Sequence, residues 1–373
     1  MSNSLIPLLN PINDSIVKGR RCYIYTANGK RYVDFESGDW AAALGHANSE
    51  INKVIARQAQ LIMHDGLFFR KQKAEILSEI LLEKLEMKGG ESVFLSSGSE
   101  AVNLCLILAT RLTRRDKILT INDSFLGSYG IGQASENNGR RVNIDVDDFD
   151  SIEKINFNEI AAFAFEPGSS WGNIKFPSPD FVDMLQSRVK KSGGLLIANE
   201  VTTGFGRAGK WFGFQHYNFT PDLVAMGKIM GNGYPISAVS INKEAALLFS
   251  KNKFRYAQSH QNDALGCAVA TEVIRIIENE KLIDRVCEMG GYFKEQLLRL
   301  QLARIDKIKE VKARGLMVAV EFFSEKEAER IFSKLIENGF VVGQKNNNVR
   351  FMPPFIITKR HINLLIKALK EII

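Results

Sequence analysis

Three polar segments of this sequence follow apolar runs that are typical of buried strands, and their residue types could do chemistry. Lys228 comes after the run DLVAM and Gly227. An amine at the end of a buried strand is partly removed from water, which lowers its pKa and makes it a nucleophile toward carbonyl carbon. Asn199 and Glu200 end the run GGLLIA, and residues 96–100, SSGSE, follow VFL. Each has an ordinary alternative, because most lysines lie at the surface and polar residues often end strands.

The SSGSE segment has two interpretations. A turn between a strand and a helix exposes backbone N–H groups and the positive end of the helix dipole, which suits a phosphate. It also fits a capping box, with Ser97 as the N-cap and Glu100 three residues later. By contrast, the spacing GFGRAGK at residues 204–210 does not indicate a nucleotide triphosphate site, because Trp211 follows where a Ser or Thr would bind magnesium.

Apolar strands and helices alternate from about residue 93 onward. This alternation predicts a mainly parallel sheet with both faces covered, and ligands bind at the carboxyl ends of the strands in such sheets. The polar segments described above are therefore expected to lie at one edge of the sheet.

The flanking regions predict a smaller unit. Residues 21–36 are typical of a hairpin with a tight primed turn at Asn28-Gly29. Residues 49–62 and 70–87 predict amphipathic helices. Residues 262–302 predict one long helix with a break near Gly290-Gly291. The remaining C-terminal residues read as an α+β unit that we expect to join the N-terminal hairpin.

Composition excludes several classes of protein. The 373-residue chain is 45% hydrophobic and 24% charged, with a formal charge of +7. Its basic residues are mixed with acidic ones and form no recognition motif, so we do not expect nucleic-acid binding. We expect no signal peptide and no membrane span, since no run approaches ~18 apolar residues. Four cysteines without metal-ligand spacing predict free thiols, no metal site and a cytoplasmic location.

Taken in order, the motifs resemble those of the class III aminotransferases. This family has the fold type I of pyridoxal phosphate (PLP) enzymes and includes acetylornithine, ornithine and 4-aminobutyrate aminotransferases and glutamate-1-semialdehyde aminomutase. The resemblance spans residues 17–373 and is most specific over residues 198–239, ANEVTTGFGRAGKWFGFQHYNFTPDLVAMGKIMGNGYPISAV. The segments RYVDFESG, FLSSGSEAVNLCL, DSFLGSYG, AFEPGSS and VRFMPPFIIT support it.

The resemblance implies an α/β fold. A large domain holds a mainly parallel seven-stranded sheet between helices, and a small α+β domain forms from both chain ends. We expect residues 1–45 to form the N-terminal segment of the small domain and residues 46–262 the large PLP-binding domain. Residues 263–373 would complete the small domain, which the chain enters through a long helix.

The resemblance also implies roles for matching residues at the centre of the site. Lys228 would hold PLP as an aldimine and move the proton between the substrate Cα and the cofactor C4′. Gly98 and Ser99 would bind the cofactor phosphate. Phe125 would stack on the pyridine ring, and Val201 would pack on the opposite face.

Other matching residues lie at the margin of the expected site. Ser259 stands for a threonine that reaches the phosphate of the neighbouring subunit, which implies an obligate homodimer with a shared active site. Arg350 would bind a substrate carboxylate through its planar donor pair. Glu166 would lie near the cofactor. Trp40 falls in the segment that lines the substrate entrance, although a core tryptophan is an equal alternative.

The chain differs from the family at several positions that are expected to contact the cofactor or the substrate. Asn199 replaces an aspartate that pairs with the pyridine nitrogen, so we expect a weaker electron sink, because an amide supplies no countercharge. Thr202 replaces a glutamine that touches the cofactor O3′ in many members, and Leu126 replaces a histidine. Trp171 stands where amino-acid-specific members often have a glutamate that can pair with the family arginine. We therefore expect a narrower pocket and a substrate with an apolar portion, held by one carboxylate.

The sequence thus predicts a PLP-dependent aminotransferase that moves an amino group between an amino acid or ω-amino compound and a keto acid. Two alternatives stay open. One is an aminomutase or amino-acid racemase on the same fold, which Asn199 favours. The other is a homologue that binds PLP without catalysing a reaction.

Overall fold

The structure of the protein, a computed structural model, describes residue 6 and residues 14–133, 139–169 and 173–373. Trp171, which is expected to narrow the substrate pocket, lies outside these described residues. Its role stays a prediction.

The strands and helices follow the chain in three groups: an N-terminal hairpin, an alternating α/β region and a C-terminal α+β region. The strands are β1 (Ile16–Arg20), β2 (Tyr23–Thr26), β3 (Arg31–Asp34), β4 (Glu91–Leu95), β5 (Lys117–Ile121), β6 (Arg141–Ile144), β7 (Ile160–Phe165), β8 (Leu195–Asn199), β9 (Leu223–Met226), β10 (Ser237–Ile241), β11 (Ile308–Arg314), β12 (Met317–Phe322), β13 (Phe340–Val341), β14 (Gly343–Lys345) and β15 (Asn348–Phe351). The helices are α1 (Ser49–Leu61), α2 (Gln72–Lys84), α3 (Gly98–Thr113), α4 (Phe149–Ile152), α5 (Pro179–Lys191), α6 (Lys243–Lys251), α7 (Ala264–Asn279), α8 (Leu282–Ala303), α9 (Glu325–Glu337) and α10 (Lys359–Ile372). Among the described residues, none of these helices combines the length and the apolar character needed to cross a bilayer.

The central sheet has seven strands in the order β4-β10-β9-β8-β7-β5-β6. Strands β6, β5, β7, β8 and β9 run parallel to one another. Strand β10 is antiparallel to both β9 and β4, so β4 runs in the same direction as β9. Every residue of β7 and β8 is buried, as expected for strands covered by helices on both faces. The predicted α/β fold with a mainly parallel seven-stranded sheet is confirmed.

Two smaller sheets bring the chain ends together. One has the order β1-β2-β3-β13, in which β3 near the N-terminus pairs in parallel with β13 near the C-terminus. The other has the order β11-β12-β15-β14 and places Arg350 opposite Gly343. The two chain ends therefore share a sheet, which is consistent with one small domain, although the boundaries at residues 45 and 262 stay predictions.

The N-terminal hairpin forms as predicted, but its turn is of another type. A type I′ turn needs a positive φ at both Asn28 and Gly29, and a type II′ turn needs it at Asn28. Of these two, only Gly29 is left-handed, with φ 79°. The amide of Gly29 donates to the Thr26 carbonyl oxygen at 3.0 Å, and the amide of Thr26 donates to the Lys30 carbonyl oxygen at 3.0 Å. The connection is therefore longer than the sequence predicted.

The helical region after residue 262 breaks at a different place from the one predicted. Helix α7 ends at Asn279 and α8 starts at Leu282, with Lys281 left-handed between them at φ 49°. Gly290 and Gly291 lie inside α8. Packing requires a glycine at position 290, because a Cβ there would lie 2.1 Å from the Gly315 carbonyl oxygen. The glycine pair marks a close backbone approach, not a helix end.

This contact gives a prediction with a built-in control. Gly290→Ala should lower the free energy of unfolding by about 1–3 kcal/mol, because the new methyl group overlaps backbone that cannot move aside easily. Gly291→Ala has open space around its Cβ. It should raise the free energy of unfolding by about 0.5–1 kcal/mol, since alanine favours helix. Urea unfolding of both variants measures the difference, and equal stabilities would contradict the packing argument.

Candidate active site

The carboxyl ends of five strands meet at one edge of the central sheet and surround a cavity of about 300 Å³. That volume lies in the range of small-molecule sites. The segments that follow β4, β5, β7, β8 and β9 supply most of its wall. The lining residues are Asp39, Trp40, Ser97, Gly98, Ser99, Val102, Phe125, Gly127, Ser128, Glu166, Asn199, Val201, Thr202 and Lys228. Residues spread over almost two hundred positions of sequence thus converge as the strand-end argument predicted.

Lys228 begins the short helical turn after β9 and has a left-handed backbone with φ 46°. Non-glycine residues in this conformation are uncommon and concentrate at functional sites. Its Nζ donates to the Thr202 Oγ1 at 3.3 Å and lies 3.8 Å from the centroid of the Trp40 ring. Burial lowers the pKa of Lys228 to about 8, although the carboxylates of Asp39 and Glu166 oppose the shift. About one tenth of the amine is therefore unprotonated at pH 7, far more than for an ordinary lysine.

The SSGSE segment forms a helix cap and also lines the cavity. The Ser97 Oγ accepts from the Glu100 amide at 3.2 Å at the start of α3, and the Glu100 Oε2 accepts from the Ser96 amide at 3.0 Å. The capping interpretation is therefore correct, although Glu100 reaches Ser96 in place of Ser97. The first-turn N–H groups at Gly98 and Ser99 have no acceptor within the helix, and both residues line the cavity. The two interpretations are compatible.

Two apolar side chains, Val201 and Phe125, also line the cavity. A Cβ on Gly98 would lie 2.5 Å from the Val201 Cγ1, so only glycine lets Val201 pack this close to the start of α3. The half-buried Phe125 also lines the cavity. Its amide donates to the buried Glu166 Oε2 at 3.0 Å, so Glu166 fixes the backbone that carries the ring.

Asn199 is held in one orientation by its neighbours. Its Nδ2 donates to the Phe125 carbonyl oxygen at 2.8 Å, and its Oδ1 accepts from the Val201 amide at 3.3 Å. The first contact requires a donor and the second an acceptor, which an amide satisfies and a carboxylate does not. Sequence reasoning identified the missing charge at this position but not the donor that the Phe125 carbonyl requires.

Trp40 lies at the end of a strained turn. Ser37, Gly38, Asp39 and Trp40 all have positive φ, between 44° and 71°, and each non-glycine residue there costs roughly 1–2 kcal/mol. The fully buried Arg207 stabilises the turn by donating to the Ser37 Oγ at 3.0 Å. The indole ring contacts two cations, the Lys228 Nζ and the Arg350 Cζ, which lies 4.9 Å from the ring centroid. Trp40 is therefore both a core residue and a cavity wall.

Sequence reasoning missed two acidic residues of this turn. Asp39 is exposed and lines the cavity, and Glu36 is buried beneath it. The Trp40 Nε1 donates to the Glu36 Oε2 at 2.7 Å. Burial raises the pKa of Glu36 to about 7, against the opposing charge of Arg350. The sequence signal that could have identified Asp39 and Glu36 is the presence of acidic residues beside a tryptophan in the otherwise apolar run FESGDWAAAL.

Not every predicted site residue joins the cavity. Ser259 is exposed, and it is not among the residues that line the cavity of its own chain. Leu126 is buried in the core beside α3 and is likewise absent from the cavity wall. Arg350 reaches the site through its contact with Trp40.

The Asn199 contacts predict a pH-dependent stability for Asn199→Asp. Without added ligand at pH 7, we expect it to lose about 1–3 kcal/mol of unfolding free energy, because a buried carboxylate would face a carbonyl oxygen. Burial raises the folded pKa of such an acid above its unfolded value, so the loss should shrink as pH falls toward 4 and the acid regains a donor. Asn158→Asp, at an exposed position, is the matched control for urea unfolding. An Asn199→Asp protein as stable as the control at pH 7 would refute this reading.

Comparison with known proteins identifies the family. The family model described as aminotransferase class-III matches residues 10–132 and 129–373. The acetylornithine aminotransferase of Aquifex aeolicus is 32% identical over 374 residues, covering 96% of each chain. A [LysW]-aminoadipate semialdehyde/glutamate semialdehyde transaminase of Sulfolobus acidocaldarius is 27% identical over 379 residues, covering 98% of this chain and 96% of the relative.

A solved structure agrees with the sequence relatives. The ornithine aminotransferase of Toxoplasma gondii, described with partial occupancy of PLP at its active site, superposes with a TM-score of 0.89 at 25% identity. The match covers 99% of this chain and 92% of that one. Sequence, fold and strand-end cavity agree, and the chain belongs to the class III aminotransferase family.

Proposed function

We propose that this protein carries PLP on Lys228 and moves an amino group between an amino acid or ω-amino compound and a keto acid. The observation that carries the proposal is the Lys228 amine, which lies in a cavity beside the N-terminus of α3 with its pKa lowered to about 8. A class III aminotransferase depends on PLP, so the cavity has to accommodate this cofactor.

The residues of the cavity fit PLP. The N–H groups of Gly98 and Ser99 suit its phosphate. Beside them, the Ser128 amide donates to the Ser99 Oγ at 3.1 Å. Phe125 and Val201 offer apolar surface to the pyridine ring, as proposed from the family pattern. When bound, PLP supplies an aldehyde that condenses with amines and a ring that withdraws electrons from the substrate.

The side chains around this cofactor have separate tasks in the proposal. Lys228 would hold the cofactor through its Nζ, and the same amine would move the proton between the substrate Cα and the cofactor C4′. Thr202 holds the Lys228 Nζ at 3.3 Å and so orients it. Asn199 would hydrogen-bond the pyridine nitrogen, since its contacts with the Phe125 carbonyl and the Val201 amide leave one Nδ2 hydrogen and one Oδ1 lone pair unused. Glu166 keeps Phe125 in place.

The substrate side of the proposal rests on Trp40 and Arg350. Arg350 binds a substrate carboxylate, and the Trp40 ring contacts an apolar portion of the same substrate. Trp171, outside the described residues, is proposed to narrow this pocket further. The relatives are named for acetylornithine and for aminoadipate or glutamate semialdehyde, and we propose a substrate of that general class, with an amino group remote from a carboxylate.

A homodimer with a shared active site completes the proposal. The segment between α1 and α2 exposes large apolar side chains, among them Phe68 at 99% and Phe69 at 79% exposure. Such surface commonly marks an interface. Ser259 is exposed and outside its own cavity, which leaves it available to the phosphate of a second copy. A mass of one 41.8 kDa chain in sedimentation equilibrium would contradict this assembly.

We also propose a cytoplasmic location. Its support is that Cys22, Cys105, Cys267 and Cys287 are all free thiols, which persist in reducing compartments. Expression of a fluorescent fusion in the native host tests it, and a signal outside the cytoplasm would refute it.

Asn199 favours one alternative on the same fold. An amide beside the pyridine nitrogen supplies no negative charge, so a reaction that needs less electron withdrawal, such as that of an amino-acid racemase, loses less than transamination does.

One screen separates these activities. The PLP-loaded protein is incubated with ornithine, acetylornithine, 4-aminobutyrate and alanine, each with 2-oxoglutarate, in deuterated water. We expect net keto-acid or semialdehyde formation from at least one donor, and Lys228→Ala should abolish it while Lys190→Ala keeps it. Deuterium entry at Cα without net amino transfer would instead establish the racemase alternative, and no change in any substrate would refute catalysis.

A further inference from the structure

Two histidines and an aspartate meet where the segment after α1 contacts the start of α7. His64 follows the end of α1, and His260 and Asp263 precede α7. The His64 Nδ1 lies 2.8 Å from the Asp263 Oδ1, and the His260 Nδ1 lies 2.5 Å from the Asp263 Oδ2. The three side chains offer one ligand atom each, and these atoms lie within 4.8 Å of one another. The proposed reaction gives none of them a task.

The carboxylate of Asp263 faces the two histidines in place of the helix that follows it. Asp263 is the N-cap of α7, a position where an aspartate commonly accepts from a backbone amide two or three residues further on. Its side chain makes no such bond. That side chain is 11% exposed, whereas those of His64 and His260 are 42% and 61% exposed. A shielded carboxylate is therefore bonded to two imidazole rings that solvent and ions can reach.

Two imidazole nitrogens and one carboxylate oxygen form a donor set that suits zinc. Zn²⁺ binds such atoms in a tetrahedral arrangement at about 2.0–2.2 Å, so that neighbouring ligand atoms lie roughly 3.3 Å apart. The His64 Nδ1 already lies 3.2 Å from the Asp263 Oδ2. The His260 ring, whose centroid lies 4.7 Å from that of His64, is exposed and can turn to adjust its own distance. Without a metal, the same contacts are hydrogen bonds from two rings to one carboxylate.

We propose that His64, His260 and Asp263 bind one Zn²⁺ ion, with water as its fourth ligand. Each imidazole coordinates through the Nδ1 lone pair and carries its hydrogen on Nε2, so the ring stays neutral. The Asp263 carboxylate supplies one negative charge to the ion. Nitrogen ligands favour zinc over Mg²⁺ and Ca²⁺, which prefer sites made of oxygen atoms. Coordinate bonds replace the hydrogen bonds to Asp263, and no other bond changes.

The ion joins two segments that the proposed dimer uses. The segment after α1 carries the exposed Phe68 and Phe69, and the segment before α7 carries Ser259, which is proposed to reach the phosphate of a second copy. Only this consequence rests on the proposed function, and binding of the ion does not. The cysteine spacing predicted no metal site. The proposal departs from that prediction because its ligands are histidines and an aspartate up to 199 positions apart.

Calorimetry tests the binding directly. The PLP-loaded protein, freed of metal with a chelator and of excess PLP by gel filtration, is titrated with ZnCl₂ at pH 7.5. We expect one ion per chain. His64→Gln, His260→Gln and Asp263→Asn should each weaken the affinity by about 100-fold or more, because even the loss of a group that only orients a ligand costs roughly 10–100-fold. Asp306→Asn, at an exposed position outside the cluster, should leave the affinity unchanged. Equal affinity in all five proteins, or no binding to the wild type, would overturn the proposal.

The geometry of the site has its own readout. Tetrahedral Co²⁺ absorbs strongly in the red part of the visible spectrum, away from the violet band of bound PLP, whereas octahedral Co²⁺ absorbs weakly. We expect strong bands from the wild type loaded with Co²⁺ and none from His260→Gln. Excess MgCl₂ should not remove these bands, because Mg²⁺ prefers oxygen ligands. A weak octahedral spectrum in the wild type would contradict the proposed site. Asp263→Asn serves if His260→Gln does not fold.

Failure of the metal site and failure of the proposed function give different results. Lys228→Ala should form no keto acid and should bind Zn²⁺ as tightly as the wild type. Zinc binding that depends on His64 and His260, without any keto acid from the donors, would refute aminotransfer and leave the metal site in place. Keto-acid formation by a wild-type protein that binds no Zn²⁺ would refute the metal site alone.

Discussion

The partial removal of the Lys228 amine from water is the constraint on which the site depends. A protonated lysine is not a nucleophile, and burial is what lowers the pKa of this one to about 8. That burial comes from the sheet, because the carboxyl ends of β4, β5, β7, β8 and β9 meet at one edge and close a cavity around the amine. The nearby carboxylates keep the shift moderate, so the amine can both exchange protons and react.

The second constraint comes from the chain ends. The turn at Ser37 to Trp40 is left-handed and unfavourable by itself, and it persists because tertiary contacts hold it. Arg207, from the large sheet region, donates to Ser37, and the Met352 amide at the end of β15 donates to the Phe35 carbonyl oxygen at 2.6 Å. These contacts hold Trp40 against both Lys228 and Arg350. In the proposed function, the small unit supplies the substrate side of the cavity and the large sheet supplies the cofactor side.

Short-range patterns in the sequence were enough to predict the sheet and to place Lys228 at the end of a strand, because strand ends and helix starts depend on neighbouring residues. Interactions between distant residues were not predictable in this way. The Phe125 carbonyl that orients Asn199 lies 74 positions away, and Gly343 and Glu36 meet only after β3 pairs with β13. The prediction of a helix break at the glycine pair in α8 was wrong for the same reason. Gly290 is required by its close approach to the backbone of Gly315, which is distant in the sequence. Family resemblance supplied Arg350 and Ser259, which no local pattern indicates.

The most direct test of this account follows the attachment of PLP to the cofactor-free protein between pH 6 and pH 11. The rate of the absorbance change should rise with pH and level off with an inflection near 8, because only the unprotonated Lys228 amine reacts. Borohydride reduction and peptide mapping should then find the label on Lys228. An inflection near 10.5, the value of an ordinary lysine, or a label on another residue, would contradict the claim that burial at the sheet edge activates this amine.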